Sequence, residues 1–465
     1  MFYGYIQKGL LLRRLKVIKP NQNRRKPMAT IPHICSAMQT VLGLTADRIG
    51  WQTRFQQRKS KLTGSGFVQT LVFGSLSKAD LSYTDLCSSA LDVGIAISAQ
   101  GLAQRFSSAS ALLCQKILEA SVQQVLTAQP QTILLLARFN GVYLRDSSVV
   151  SLPAELHALW PGVGGSLGES TAVKLQVRLE YSSGQLAGPV LYAGRTHDSQ
   201  SPYQEEALPA GAIRMGDLGF FSLDQFALDQ QHGVYTFSRY KIGTCLYDGS
   251  GQAIDLLAWL GSQTAPQFER SIFLGQRARF ACRLMVERVP QAVVEQRRRK
   301  LREYARKKQV SVSPETLALA EWTLLITDIP LTLLSVPEAL VLLTVRWQIE
   351  LLFKMWKSLF QIDQWRSQDP WRILTELYAK LISVVILNWI LLMDGWRTPK
   401  SSFWKAALVV RRFATVLALA SRDPALLEAV LCRIQSHFRH SCRLNTRRAA
   451  LGTAQALLTI SPVPS

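Results

Sequence analysis

Residues 344 to 361, TVRWQIELLFKMWKSLFQ, set one carboxylate among several cations in an otherwise apolar segment. On a helix, with about 100° between residues, its polar side chains fall within one sector of about 80°. These are Arg346, Glu350, Lys354, Lys357 and Gln361. The opposite half is apolar and predicts a buried face: Val345, Ile349, Leu351, Leu352, Met355, Trp356, Leu359 and Phe360. An ordinary helix with ion pairs four residues apart is one interpretation, and a helix presenting an acid to a catalytic site is the other.

Two aspartates upstream stand at predicted strand ends. In YLRDSSVVSL, a turn at Asn140 and Gly141 leads into a short strand that is predicted to end at Asp146. In AIRMGDLGFFSLDQF, a second strand is predicted to end close to Asp217. Three carboxylates brought together would repel one another, and divalent metal relieves that repulsion. Together with Glu350, the aspartates therefore predict a metal-dependent phosphoryl-transfer site.

The charge of the chain indicates a polyanionic partner. Its 465 residues include 54 Lys and Arg against 32 Asp and Glu, a net charge of +22, which favours nucleic acid first and an anionic membrane surface second. Seven scattered cysteines without CxxC pairs indicate free thiols in a reducing compartment. A zinc site is a minor alternative, its residues being Cys432, His437, His440 and Cys442. The apolar run 381–393 is shorter than the ~20 residues of a membrane span and predicts a buried core helix.

The pattern changes along the chain from helical to strand-like near residue 132. Within the helical part, Ser98 is predicted to cap a helix over 99–106 and Ser107 or Ser108 the next, an arrangement similar to a helix-turn-helix. DNA reading by this pair and ordinary helix packing are both open. VKLQVRLEY (173–181) alternates strictly and predicts a hairpin with LAGPVLYAG. Later strand-like pieces are GVYTFSRYKIGTCLYD, AIDLLAWLG, SIFLG, ARFACRLMVERV and EWTLLITDIP, after which Pro337 is predicted to start the helix bearing Glu350.

Three blocks carry a family resemblance. Arg346, Glu350 and Lys357, with three and six residues between them, resemble the Y-x2-R-x3-E-x6-K signature of DDE transposases of the IS-four insertion-sequence family. YLRDSSVVSL and MGDLGFFSLDQF resemble the family blocks that bear the first and second catalytic aspartates, which implies Asp146 and Asp217. The sequence departs from the family pattern at two places: Leu343 at the signature Tyr and Leu218 at the basic residue after the second Asp.

The resemblance implies an RNase H-like catalytic core with an inserted mostly-β domain, and the residue pattern adds helical N- and C-terminal regions, which together give an α+β fold. The corresponding division is a basic leader at 1–27 or a true start at Met28, a helical DNA-binding region at 28–130, the core at 131–225 and 330–395, the insertion at 226–329, and a basic helical region at 396–465. It also implies two Mg²⁺, or Mn²⁺, held by Asp146, Asp217 and Glu350. The implied reaction is cut-and-paste transposition on terminal inverted repeats and target DNA. We expect a dimer in the synaptic complex, no membrane partner, and a place in the bacterial cytoplasm with the nucleoid.

Several basic residues are expected to contact DNA. By the resemblance, Arg346 and Lys357 would clamp phosphates, with Lys354 as a helper. The basic helix at 294–309 would lie along DNA, although a solvated charged face is the alternative; its predicted contacts are Arg297, Arg298, Arg299 and Lys300. Trp322 is expected to pack in a core, with stacking on an unpaired base as the alternative. Competing functions are a non-catalytic DNA-binding derivative, another RNase H-like nuclease such as a junction resolvase, and a basic membrane-surface protein.

Overall fold

The computed structural model describes residues 29–130, 133–163, 170–394, 401–444 and 451–460. The predicted leader at 1–27, the alternative start at Met28 and the NTRR stretch of the C-terminal tail lie outside these residues.

Eighteen α-helices lie in the described residues. The first seven are α1 Ile31–Gln39, α2 Ala46–Gln52, α3 Gly64–Ser77, α4 Tyr83–Asp92, α5 Ala99–Ala103, α6 Ser108–Gln123 and α7 Leu134–Ala137. The next six are α8 Leu223–Gln231, α9 Leu256–Gly261, α10 Gln291–Lys308, α11 Pro314–Leu319, α12 Val336–Leu343 and α13 Trp347–Phe360. The last five are α14 Pro370–Leu391, α15 Phe403–Arg412, α16 Ala414–Ala420, α17 Pro424–Ser441 and α18 Thr453–Thr459.

Nine strands lie between α7 and α12. They are β1 Val142–Ser151, β2 Ala172–Glu180, β3 Gln185–Ala193, β4 Ile213–Gly216, β5 Tyr235–Arg239, β6 Leu246–Tyr247, β7 Gln267–Leu274, β8 Phe280–Arg288 and β9 Trp322–Thr327. The predicted change from a helical to a strand-like pattern near residue 132 is confirmed.

The chain divides into two compact units. The first unit comprises Met1–Gln131, Ser147–Thr196 and Glu350–Ala449, and the second comprises Thr132–Asp146, His197–Ile349 and Ala450–Ser465. The divisions therefore fall inside β1 and inside α13, so that each of these elements contributes residues to both units.

The first unit is built around α14. This helix is long and apolar enough to cross a membrane by length and composition, but all of its most apolar 18-residue window is buried inside the protein. The buried core helix predicted for 381–393 is confirmed, and it begins eleven residues earlier, at Pro370. Hydroxyl pairs tie it to neighbouring helices: Ser110 and Thr375 lie 3.0 Å apart, and Ser383 donates to the Val72 carbonyl at 2.9 Å. These hydrogen bonds link α6 and α3 to the central helix α14.

The first unit also contains the predicted hairpin. Strands β2 and β3 pair antiparallel from Val173↔Ala193 to Glu180↔Gln185, and β2 neighbours β1. The alternating pattern is confirmed as a strand, but its polar face is covered too. Every polar residue of β2 is at most 9% exposed: Lys174, Gln176, Arg178 and Glu180. Alternation therefore identified the strand without identifying which face meets water.

The second unit has a mixed sheet in the order β1-β4-β5-β9-β8-β7-β6. Strands β1, β4 and β5 are parallel, and the pairs from β5·β9 to β6·β7 are antiparallel. The buried residues of one apolar cluster all belong to the segment from Phe226 to Ile326. AIDLLAWLG, predicted as a strand, is instead helix α9, because Asp255 accepts a hydrogen bond from the Ala258 amide and caps it.

Two element boundaries near the predicted site differ from expectation. Strand β1 does not end at Asp146 but continues to Ser151. The helix predicted to start at Pro337 begins at Val336, because Ser335 and Glu338 form a capping box there. It stops at Leu343, and a 3₁₀ turn over Thr344–Arg346 separates it from α13, which bears Glu350.

Candidate active site

The two predicted catalytic aspartates follow paired positions on neighbouring parallel strands. The register between β1 and β4 runs from Val142↔Ile213 to Arg145↔Gly216. Asp146 and Asp217 are the next residues in the chain after this last pair. Adjacent strands lie about 4.8 Å apart, which brings the two backbones close at this edge of the second unit. Asp146 is half-buried and Asp217 is exposed. The second unit therefore brings these two carboxylate-bearing positions together.

Asp217 also shapes the turn that follows it. It is the N-cap of a 3₁₀ helix over Leu218–Phe220, and its Oδ1 accepts a hydrogen bond from the Leu218 amide at 2.7 Å. A carboxylate in this position is held by the backbone that it caps. The predicted strand end at Asp217 is confirmed, since β4 ends at Gly216.

Glu350 lies in the first turn of α13, in the first unit. It is half-buried, and so is Arg346, whose guanidinium carbon lies 5.8 Å from the Trp347 ring centre. The Lys357 ammonium donates to the Val149 carbonyl at 3.1 Å, whereas Lys354 is exposed. The three predicted acids thus come from both units. Taken one unit at a time, the described residues hold no group of three or more His, Cys, Asp or Glu placed to bind a metal ion.

The prediction of an apolar face on α13 is largely correct. Ile349 and Trp356 are fully buried, but Leu351 is 46% exposed and Phe353, which the helical wheel left out of the apolar half, is 6% exposed. The buried stripe is therefore rotated toward Phe353. Of the predicted polar stripe, Glu350, Lys354 and Lys357 lie on α13, whereas Arg346 ends the preceding 3₁₀ turn and Gln361 follows the helix.

A buried arginine that sequence reasoning missed stands beside the first aspartate. Arg145 is 3% exposed, and its guanidinium donates to the carbonyls of Tyr203, Gln204 and Phe220 at 3.3–3.4 Å. Burial, followed by the nearby positive charge of Arg214, lowers the pKa of Arg145 to about 9, so that it stays charged at neutral pH. The sequence contained one signal for Arg145: an Arg within a predicted strand and next to a candidate catalytic Asp.

The basic helix presents two sets of cations. Arg297 donates to the Trp322 carbonyl at 2.9 Å, and Arg298 donates to the Leu317 carbonyl and to Glu321, both at 2.9 Å. These two guanidinium groups tie α10 to its own unit. Other cations of α10 are exposed: Arg299, Lys300, Arg302, Arg306, Lys307 and Lys308. A DNA contact by any of them stays a prediction.

Trp322 is 8% exposed and belongs to the apolar cluster of the second unit. Its ring packs edge-on against Phe268, with 5.8 Å between ring centres, and Arg288 lies over it at 5.3 Å. The expected core position of Trp322 is confirmed.

Comparison with known proteins identifies the family. The model described as "Transposase DDE domain" matches residues 139–386, which is more than half of the chain and includes both aspartates and Glu350. The chain belongs to the DDE transposase family. The predicted function, DNA transposition, is confirmed by this membership, which implies nuclease and strand-transferase activity on DNA. The predicted α+β class is confirmed as well, with a large mixed sheet and helical flanks.

Several curated proteins are similar to this transposase. The transposase of insertion sequence element IS231F from Bacillus thuringiensis subsp. israelensis is 27% identical over 364 residues, covering 74% of this chain and 76% of that protein. The transposase of IS1151 from Clostridium perfringens is 23% identical over 372 residues, covering 73% and 76%. A solved piggyBac transposase synaptic complex with hairpin DNA shares 10% identity over 92% of this chain and 88% of its own, with a TM-score of 0.47. That likeness is too distant to bear on function.

Proposed function

We propose that this transposase cuts DNA at the terminal inverted repeats of an insertion sequence and joins the freed ends to a target duplex. The observation that supports the chemistry is the placement of Asp146 and Asp217 directly after the paired positions Arg145↔Gly216 of two parallel strands. Carboxylate oxygens are the ligands that Mg²⁺ prefers, so the donors present fit this ion.

Asp146, Asp217 and Glu350 would hold two Mg²⁺ or Mn²⁺ ions. When bound, such ions activate water or a 3′-OH for in-line attack and stabilise the leaving oxygen. The contribution of the chain is to supply these carboxylates at fixed backbone positions: Asp217 through the turn that it caps, and Glu350 through the first turn of a helix with a buried apolar face.

Basic side chains would position the DNA phosphates. Arg346 and Lys357 of the signature would clamp the phosphates next to the cut, and the exposed Lys354 would assist them. On α10, Arg299 and Lys300 are the better candidates of the predicted four, because Arg297 and Arg298 already donate to carbonyls of their own unit. Leu218 lacks the charge and Leu343 lacks the hydroxyl of the family residues that are expected to contact DNA at these positions.

The substrates would be the two element ends and then a target duplex, held by a dimer in the synaptic complex. A net charge of +22 suits such a polyanion. We place the protein in the bacterial cytoplasm, at the nucleoid, where its DNA substrates lie.

Purified full-length protein on a labelled terminal-repeat duplex tests the proposal. With Mg²⁺ the wild type should nick at the element boundary, whereas Glu350→Gln and Asp217→Asn should bind the duplex without nicking. Asp224→Asn removes an exposed acid seven residues after Asp217 and should nick like the wild type. Equal nicking by the Glu350 or Asp217 variant would exclude the assigned roles, and binding without nicking by the wild type would indicate an inactive DNA-binding derivative.

A further inference from the structure

Arg145 occupies an unusual place for a charged side chain. It precedes Asp146 on β1, so that the alternation of a strand points the two side chains to opposite faces. Asp146 is half-buried, whereas Arg145 is 97% buried on the other side of the same backbone.

The contacts of Arg145 all go to segments next to the second aspartate or to the loop before it. One terminal nitrogen donates to Tyr203 at 3.4 Å and to Gln204 at 3.3 Å. The other donates to the carbonyl of Phe220 at 3.4 Å, and the guanidinium carbon lies 5.1 Å from the Phe220 ring centre. Phe220 ends the 3₁₀ turn that Asp217 caps. One side chain thus joins the strand of the first aspartate to the turn of the second.

Gly216 leaves room for this side chain. It is the β4 partner of Arg145 in the strand register, and a Cβ at this glycine would lie 3.1 Å from Arg145 Nε and 3.2 Å from its Cγ. Any larger residue at 216 would therefore push against the guanidinium stem.

Stability alone does not account for this buried charge. The hydrogen bonds of Arg145 go to neutral carbonyls, and its Nε has no partner in the described part of the chain. The neighbouring Arg214 shares the Tyr203 carbonyl but is neutralised by Asp229 at 2.7 Å. A buried charge is costly when the acid near it, here Asp229, is already paired with another arginine, and apolar replacement of buried ionic groups is often neutral or stabilising.

We propose that Arg145 is a positioning residue that fixes the spacing between the backbones of Asp146 and Asp217 for divalent metal binding. The inference rests on the proposed function, because it assumes that these two carboxylates are metal ligands. Groups that orient metal ligands without touching the metal typically change metal affinity 10- to 100-fold when they are removed. Arg145 acts on the backbone that carries the ligands.

Arg145→Met, in the full chain, tests this role. The unbranched Met side chain extends about as far as the Nε position of arginine, and it removes the charge and the donors. We expect the Tm to be unchanged or higher, the Kd for a terminal-repeat duplex to stay within about twofold, and Mn²⁺ affinity measured by electron paramagnetic resonance without DNA to fall about tenfold. The half-saturating Mg²⁺ concentration for nicking should rise by the same factor. Arg145→Lys, which keeps the charge but not the two separate terminal nitrogens that bond to Gln204 and Phe220, should restore part of the affinity.

Two further variants separate the outcomes. Gly216→Ala should displace Arg145 and weaken Mn²⁺ binding, as Arg145→Met does. This second variant keeps the test valid if Arg145→Met does not fold. Arg214→Met leaves Asp229 buried without its partner, so it should lower the Tm while the folded fraction binds Mn²⁺ like the wild type. Wild-type Mn²⁺ affinity in both Arg145→Met and Gly216→Ala would overturn the inference. If Asp217→Asn also bound Mn²⁺ and nicked like the wild type, the proposed function itself would fail.

Discussion

Asp328 makes the free energy of unfolding of the second unit depend on pH. It follows β9 and accepts hydrogen bonds from the Thr236 amide at 2.7 Å and from Gln230 at 3.4 Å. Burial, with a smaller contribution from the charge of Asp229, raises the pKa of Asp328 to about 6, although the Thr236 bond acts in the opposite direction. The Asp328 carboxyl therefore ionises less readily in the folded protein than in the unfolded chain.

The sign and size of the effect follow from this pKa. Between about pH 4 and pH 6 the unfolded chain loses the proton while the folded protein keeps it, so the free energy of unfolding falls as pH rises, and the loss is complete above pH 6. A shift of about two units corresponds to ~3 kcal/mol. Because Asp328 retains partial exposure, solvent screening reduces our expectation to about 1–2 kcal/mol.

Asp328→Asn should therefore stabilise the protein at pH 7.5 by about 1–2 kcal/mol and leave it nearly unchanged at pH 4. The amide oxygen still accepts from Thr236, and the amide nitrogen replaces the oxygen that accepts the long 3.4 Å bond from Gln230, so loss of the ionisation is the main change. Urea unfolding of wild type and variant at both pH values measures the difference. Asp224→Asn removes an exposed acid of the same unit and should change the stability at pH 7.5 by less than Asp328→Asn does. Destabilisation by Asp328→Asn at pH 7.5, or an equal gain at pH 4, would refute the reasoning.

Two further predictions concern the second unit. Replacing the exposed Arg299 and Lys300 together by Ala should weaken DNA binding and reduce the slope of log K against log salt by about 2, as measured by a salt titration of binding; an unchanged slope would show that neither contacts phosphate. Trp322→Ala should lower the free energy of unfolding by about 3–5 kcal/mol, because the ring lies in the apolar cluster. Wild-type stability of Trp322→Ala in urea, with loss of nicking, would instead favour base stacking.

Local patterns predicted much of the fold around the site. Alternation identified β2, and the predicted strand end placed Asp217 directly after β4, whereas β1 continues past Asp146 to Ser151. Ser98 and Ser107 cap α5 and α6 as expected, although α5 ends at Ala103 rather than at residue 106. Caps and period-2 patterns depend on contacts a few residues apart, which the sequence contains directly.

Patterns failed where a distant part of the chain decided the outcome. The apolar run AIDLLAWLG is short enough for either a strand or a helix. The Asp255 cap is a local signal for the helix, and the packing of Leu256 and Leu260 in the apolar cluster with distant residues favours it further. Arg297 and Arg298 belong to a run of cations that predicts a solvated or DNA-facing surface. They contact Trp322 and Leu317, about 20 residues away, and a local sequence pattern does not reveal contacts over such a separation.

By itself, the sequence determined the family signature, the excess of positive charge and the acids available for metal chemistry, because residue type and spacing are one-dimensional properties. Only the tertiary structure decided that Asp146 and Asp217 follow facing positions on parallel strands, and that Arg145 is buried against the turn after Asp217. Strand pairing and burial join residues about 70 positions apart, and their energies depend on which groups surround each side chain once the chain is folded.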